Sequence, residues 1–232
     1  MKKSVKKVLA AVLALTLIAL CFTACGGTKT SGSSYTANNT EYFIGTTGPL
    51  TGDAASYGNS VKNGATIAIE EINAAGGLNG VKFKFDMKDD KATAQDATTG
   101  YNSLLEAGMQ ISLGSVTTDS CDAFGASAVE DNLFFMTPSA SASKVIEGRD
   151  NGFRVCFGDP DQGTLAADDL SKNYKNIGVI YNTSDTYSTG IFDAFKTEMD
   201  AKGVAFKSAT FDAENNKDFS TQIEQLKDCD VI

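Results

Sequence analysis

The chain has 232 residues, with 20 Lys+Arg against 29 Asp+Glu, 42% hydrophobic residues, 22 Gly, three Pro and neither His nor Trp. That length suits one or two domains, and the composition is ordinary for a globular protein. Without histidine there is no Ser-His-Asp triad, no His-rich zinc site and no imidazole proton shuttle, while a net charge of -9 and a pI near 4.5 argue against DNA or RNA as a partner.

Lys2, Lys3, Lys6 and Lys7 precede an apolar run from Val8 to Leu20 broken only by Thr16, and the small residues Thr23 and Ala24 then lead to Cys25. A charged start, an apolar middle and a small-residue end make the order of an export signal. The run is short for a bilayer span, which needs about 20 apolar residues. Phe22-Thr23-Ala24-Cys25, followed by Gly26-Gly27, resembles the lipobox of bacterial lipoproteins, departing at Phe22 from the usual Leu or Val. The resemblance implies that residues 1–24 are removed and that Cys25 is acylated, anchoring the protein to the cell membrane on its outer side. Removal takes away four lysines and no acidic residue, leaving 16 basic against 29 acidic side chains and a net charge of -13. So acidic a body is expected to stand off an anionic surface. Residues 25–40 read as a linker, and the 15 residues after Cys25, rich in Gly, Ser, Thr and Asn, form a leash with a reach of roughly 20 Å.

From Glu41 onward strand and helix patterns alternate. A strand at 42–47 ends in the turn Gly48-Pro49-Leu50-Thr51-Gly52; a helix from about Ser56 carries Val61, Ala65, Ala68, Ile69 and Ile72 as one apolar stripe until Gly76-Gly77 stops it. Strands at 81–87, 110–114 and 133–136 then alternate with helices at about 92–107 and 118–131. After a Ser-rich loop at 137–144 come a short strand near 153–157 and a helix over 161–173. The pattern restarts with a strand at 177–181, a helix at 187–201, a strand at 204–211, a helix at 217–227 and a strand beginning at Asp230. Repeated β-α units build parallel, doubly wound sheets with right-handed crossovers. The expected fold class is therefore α/β with two doubly wound lobes, 41–158 and 159–232, meeting at the polar loop 158–162 that contains Pro160.

Ligands of such sheets sit outside the carboxyl ends of the strands. Three loops there share one chemistry: GPLTGDAASYG at 48–58, GSVTTDS at 114–120 and TPSASAS at 137–143. Small hydroxyls and exposed backbone amides suit a compact anion such as a carboxylate, above all at a helix N-terminus. Thr118 or Asp119 is expected to open the helix over 118–131.

The stretch 48–80, GPLTGDAASYGNSVKNGATIAIEEINAAGGLNG, resembles the N-terminal signature of the branched-chain amino-acid-binding proteins of ABC transporters. These are extracytoplasmic solute receptors with a type I periplasmic-binding-protein fold. The likeness continues through Lys88-Asp89-Asp90, the loops at 114–120 and 137–143 and the segment FGDPDQG at 157–163, as far as Phe219. It implies an amino acid as ligand, an ABC permease as partner and no cofactor. It also implies that the Thr118 hydroxyl and the backbone at Thr117 hold the ligand's α-carboxylate. Ser139, Ala140 and Ser141 would offer carbonyl and hydroxyl groups to the α-ammonium, and an N–H or hydroxyl to the carboxylate. Tyr57 and Tyr187 would lay their rings over the ligand, and Val116 would line the side-chain pocket. Ser141 stands where the family usually has Thr, and keeps the hydroxyl. Four charge-assisted hydrogen bonds of about 1.5 to 3 kcal/mol each account for micromolar binding, roughly 8 kcal/mol, only when two lobes close and exclude water.

Asp89-Asp90, and Asp159 with Asp161, are open to reading as acid-base pairs or cation sites. No nucleophile or tuned base accompanies them, so helix capping by Asp161 and loop solvation are expected, with neither catalysis nor a metal. Cys121, Cys156 and Cys229 lack metal-like spacing and read as small buried hydrophobes rather than a disulfide. Family members run on well past this length, so the resemblance implies a second lobe that is incomplete within these residues. Two other classes stay open: an extracellular sensory domain for an amino acid or related small carboxylate, and, least favoured without histidine or a nucleophile elbow, a cell-surface enzyme.

Overall fold

The computed structural model describes residues 41–232, and the expected export signal, Cys25 and the expected linker lie outside the described residues. Strands β1 (Glu41–Gly48), β2 (Lys82–Asp89), β3 (Ile111–Ser112), β4 (Phe135–Thr137) and β5 (Gly152–Arg154) form one wholly parallel sheet in the order β2-β1-β3-β4-β5. Strands β6 (Gly178–Asn182) and β7 (Lys207–Phe211) pair in parallel as a second sheet. Where the sequence predicts a strand from Asp230, Val231 makes a single parallel bridge to Ile177. Helices α1 (Ala55–Ala74), α2 (Ala94–Glu106), α3 (Thr118–Glu130), α4 (Asp159–Asn173), α5 (Thr186–Lys202) and α6 (Ser220–Leu226) alternate with the strands.

This is the doubly wound α/β class expected, with bounds that differ by a few residues. The β3 strand is shorter than predicted because Gly114 takes a left-handed backbone, φ 67°, and turns the chain out of the sheet. The Ser112 hydroxyl donates to Gly45 O at 2.9 Å and accepts the Gly114 N–H at 2.8 Å, replacing regular ladder bonds at that turn.

Local chemistry starts the helices where it should. The Thr93 hydroxyl accepts the Asp96 N–H ahead of α2, and the Asp185 carboxylate accepts the Ser188 N–H ahead of α5. At α4 the expected capping by Asp161 is present, its carboxylate taking the Gly158 N–H at 3.1 Å. Packing then places the core. Phe43, Tyr101, Leu104, Phe124 and Phe135 join α2 and α3 to the first sheet, with Tyr101 and Phe124 edge to face at 4.8 Å. A second cluster of Ala167, Ile177, Phe195 and Met199 joins α4 and α5 to the second sheet.

Two expectations change. The apolar stripe of α1 is only partly covered, with Val61, Ala65 and Ile69 half-buried but Ala68 and Ile72 exposed, because β2 is the element it chiefly packs against among the described residues. Of the three cysteines among the described residues, Cys121 is fully buried while Cys156 and Cys229 are half-buried, and all three are free thiols.

Candidate functional site

The winding of the first sheet reverses between β1 and β3, and in open α/β sheets that reversal leaves a crevice outside the carboxyl ends of the strands. A cleft of about 280 Å³ opens among the loops that follow β1, β3 and β4, lined by Ser56, Tyr57, Ser60, Val61, Val116 and Ser139. Its volume sits just below the roughly 300 Å³ at which ligand pockets usually begin.

Three of the expected residues, Tyr57, Val116 and Ser139, line this cleft. Tyr57 is 66% exposed in the first turn of α1, whereas Val116 is buried. Val116 can press against β1 because Gly48 has no side chain; a Cβ there would lie 2.6 Å from Val116 Cγ2. Ser60 and Val61 were not anticipated. Their signal was in the sequence, since positions three and four beyond Tyr57 share its face of a helix.

Thr117 and Thr118 follow Val116 and begin α3. Thr117 is the cap residue, but its hydroxyl makes no capping bond and is buried without a partner, as is the Ser120 hydroxyl. The bond from Cys121 N–H to Thr117 O, at 2.8 Å, starts the helix. The amides of Thr118, Asp119 and Ser120 precede it, so an unpartnered hydroxyl and a first turn of N–H groups meet at one helix end.

In the loop after β4, the Ser139 and Ala140 N–H groups are already given to Thr137 Oγ1, at 3.3 and 3.0 Å. The Ser141 carbonyl accepts the Asp159 N–H at 3.0 Å and the Arg154 guanidinium. The Ala140 carbonyl takes only the Cys156 thiol, at 3.6 Å. What this loop has left to offer is therefore chiefly hydroxyl and carbonyl oxygen, the chemistry that suits a cation.

Tyr187 lies in the first turn of α5, 42% exposed and outside the cleft lining. Burial, with the charges of Asp159, Tyr57 and Asp185, raises its phenol pKa against the pull of the Gln162 side chain. Tyr57 is thus within electrostatic range of it. Asp159, expected to be a solvated loop residue, is instead 1% exposed, and neither of its carboxylate oxygens has a hydrogen-bond partner. It is pinned at the start of α4 beneath α5, where a Cβ on Gly190 would meet its Oδ2 at 2.9 Å. Burial raises its pKa; the Ser141 hydroxyl and Arg154 oppose this from nearby without closing a hydrogen bond to it.

Asp89 and Asp90 also part company. Asp89 accepts the Leu50 N–H at 2.8 Å, the Thr51 hydroxyl at 2.6 Å and the Lys91 N–H at 3.0 Å, holding the turn at 48–52. Although burial works the other way, these bonds, led by the Thr51 hydroxyl, bring its pKa below the ordinary value. Asp90 is fully buried rather than solvated, because its carboxylate joins strand ends from below the loops, and burial raises its pKa against the Ser115 hydroxyl. Among the described residues no group of three or more His, Cys, Asp or Glu is placed to hold a metal ion.

Comparison with known proteins agrees with this architecture. The sequence profile of the family described as periplasmic binding protein matches residues 41–232. The Leu/Ile/Val-binding protein BraC3 of Rhizobium johnstonii is 33% identical over 186 residues, which cover 79% of this chain and 51% of that protein. The crystal structure of the leucine-binding protein LivK of Thermotoga maritima superposes with a TM-score of 0.73 at 26% identity, covering 79% of this chain and 52% of the other. LivJ of Streptococcus pneumoniae, solved in complex with isoleucine, gives 0.76 at 27% identity, covering 82% and 56%. The chain spans about half the length of the curated relatives it matches. With the family profile extending over every described residue and solved structures of such proteins superposing on the chain, it belongs to the periplasmic binding protein family and has its type I fold.

Proposed function

We propose that this chain binds an amino acid, of branched-chain type, as the extracytoplasmic receptor of an ABC importer, and that lipid on Cys25 tethers it to the cell membrane. The observation that carries the reading is the meeting, at one cleft, of Ser139 from the oxygen-rich loop after β4 with an apolar wall formed by Tyr57, Val61 and Val116, the last lying directly before the Thr117 cap of α3. A zwitterion with an aliphatic tail needs those three surfaces. In this reading the first-turn amides of α3 and the hydroxyls of Thr117 and Thr118 take the carboxylate. Oxygens of Ser139, Ala140 and Ser141 take the ammonium, and the side chain rests on Val116 beneath Tyr57. Tyr187 closes from residues 159–232, which act as a second lobe hinged at 158–162 on residues 41–158. The names of BraC3 and LivJ, the latter with isoleucine bound, support the choice of ligand class. The role in this reading is binding and delivery to a permease, in keeping with relatives that are named as binding proteins.

Calorimetry of the full chain with L-leucine tests this. Thr118→Val is expected to cost about 2 kcal/mol, roughly 30-fold in Kd. An unchanged Kd would remove the carboxylate assignment, and turnover of the bound amino acid would remove the binding role.

A further inference from the structure

Three side chains that are not themselves part of the cleft lining form a buried chain of hydrogen bonds beside it. Asp90, Ser115 and Thr137 follow or end β2, β3 and β4, and each is fully buried. The Ser115 hydroxyl donates to Asp90 Oδ2 at 2.6 Å, and the Thr137 hydroxyl donates to the Ser115 carbonyl at 2.6 Å. Thr137 Oγ1 then accepts the N–H groups of Ala140 and Ser139. At the other end, Asp90 N–H donates to Gly48 O at 3.1 Å and its Oδ1 accepts the Ala92 N–H at 2.9 Å. One chain of bonds thus runs from the end of β1 to the loop of Ser139.

Buried polar groups are costly unless satisfied, and a satisfied network fixes geometry more firmly than apolar packing does. Strand ends need partners in any fold, but these partners land on two particular walls. Ser115 is the residue before Val116, and Thr137 holds the amide of Ser139, so beyond the backbone pairing of β3 with β4 the Thr137–Ser115 bond links the two sides of the cleft. We infer that Asp90, Ser115 and Thr137 are positioning residues that set the separation of the Val116 and Ser139 walls, and with it the affinity for the solute, without touching it. The inference about affinity rests on the solute reading above; the spacing itself does not.

The test uses the full chain. Thr137→Val keeps the shape and removes the hydroxyl, Thr137→Ser restores it, and Ser115→Ala and Asp90→Asn interrupt the chain at its other links should Thr137→Val not fold. Leu104→Ala, in the core near the far end of α2, serves as an equally destabilised control. Amide exchange at Ser139 and Ala140, followed by NMR without ligand, is expected to accelerate at least tenfold in Thr137→Val and to return near the wild-type rate in Thr137→Ser. The Kd for L-leucine is expected to weaken about tenfold in the first and recover in the second, while Leu104→Ala leaves it unchanged. Wild-type exchange in Thr137→Val, or equal weakening by Leu104→Ala, overturns the assignment. If the wild-type chain binds no leucine, the solute reading falls instead, and the exchange rates still decide whether this chain of bonds sets the loop.

Discussion

Gly58 and Gly64 stand on the same helix, α1, yet replacing each with alanine is expected to shift stability in opposite directions. Helix propensity alone favours both changes by about 1 kcal/mol. At Gly64 a Cβ would meet nothing within 4 Å, so that gain is unopposed. At Gly58 a Cβ would lie 2.6 Å from the Pro49 carbonyl carbon, 3.0 Å from its nitrogen and closer still to its oxygen. The obstacle is backbone, and the turn that carries it is tied to Asp89 through Leu50 and Thr51. Overpacking costs about 1 to 3 kcal/mol, and an obstacle that cannot swing aside calls for the upper end of that range. Set against the propensity gain, Gly58→Ala should lose about 2 kcal/mol and Gly64→Ala should gain about 1 kcal/mol. Urea unfolding of the full chain, compared at a common slope, measures the gap of about 3 kcal/mol directly. If both variants moved the midpoint the same way, the close seat of α1 on the Pro49 turn would be wrong, and with it the placement of Tyr57.

Other outcomes follow from buried groups and from Cys25. Asp159→Asn should stabilise the protein at about pH 7, because the raised pKa of Asp159 means its ionised form is disfavoured in the folded state relative to the unfolded chain. As the pH falls through that raised pKa the wild-type carboxyl takes up its proton, so the advantage should fade by about pH 4; urea midpoints showing a gain that grows in acid would contradict an unpartnered carboxylate. Burial pushes the Cys121 thiol up to about 11, leaving on the order of one thiolate in a thousand at about pH 8. Iodoacetamide should therefore label Cys156 and Cys229 well before Cys121 in the folded protein, as read by mass spectrometry, and equal labelling would refute the packing. Cys25→Ser should release the protein into the medium; retention on cells would count against acylation.

Periodicity carried most of the fold. The alternation of short apolar runs with amphipathic helical stretches located each strand and α-helix among the described residues, since the spacing of a buried face is local, as with Tyr101 and Leu104 on α2, while the short 3-10 helix at Ser143–Val145 fell in what read as a loop. The end of β3 escaped notice because Gly114 leaves the sheet through a backbone angle that spacing does not encode. The Ser- and Thr-rich loops were legible as a donor-rich region, since hydroxyls after apolar strands are conspicuous. Which of their groups remain free was not: the amides of Ser139 and Ala140 are consumed by Thr137, a bond between residues two and three apart that depends on the loop's path. Asp90 and Asp159 were misread as solvated for the same reason. A carboxylate beside Gly and Pro looks like turn chemistry until the element that covers it, here α5 over Asp159, is in place.

Parallel pairing also governs how the chain reaches this shape. Gly45 and Ser112, neighbours in the first sheet, are 67 residues apart in sequence, and no hairpin can bring them together. Each such contact waits on the closure of a long loop, which slows folding relative to proteins built from local contacts. A nascent polypeptide with this wiring stays threadable for longer, its first strand waiting on partners made much later in synthesis.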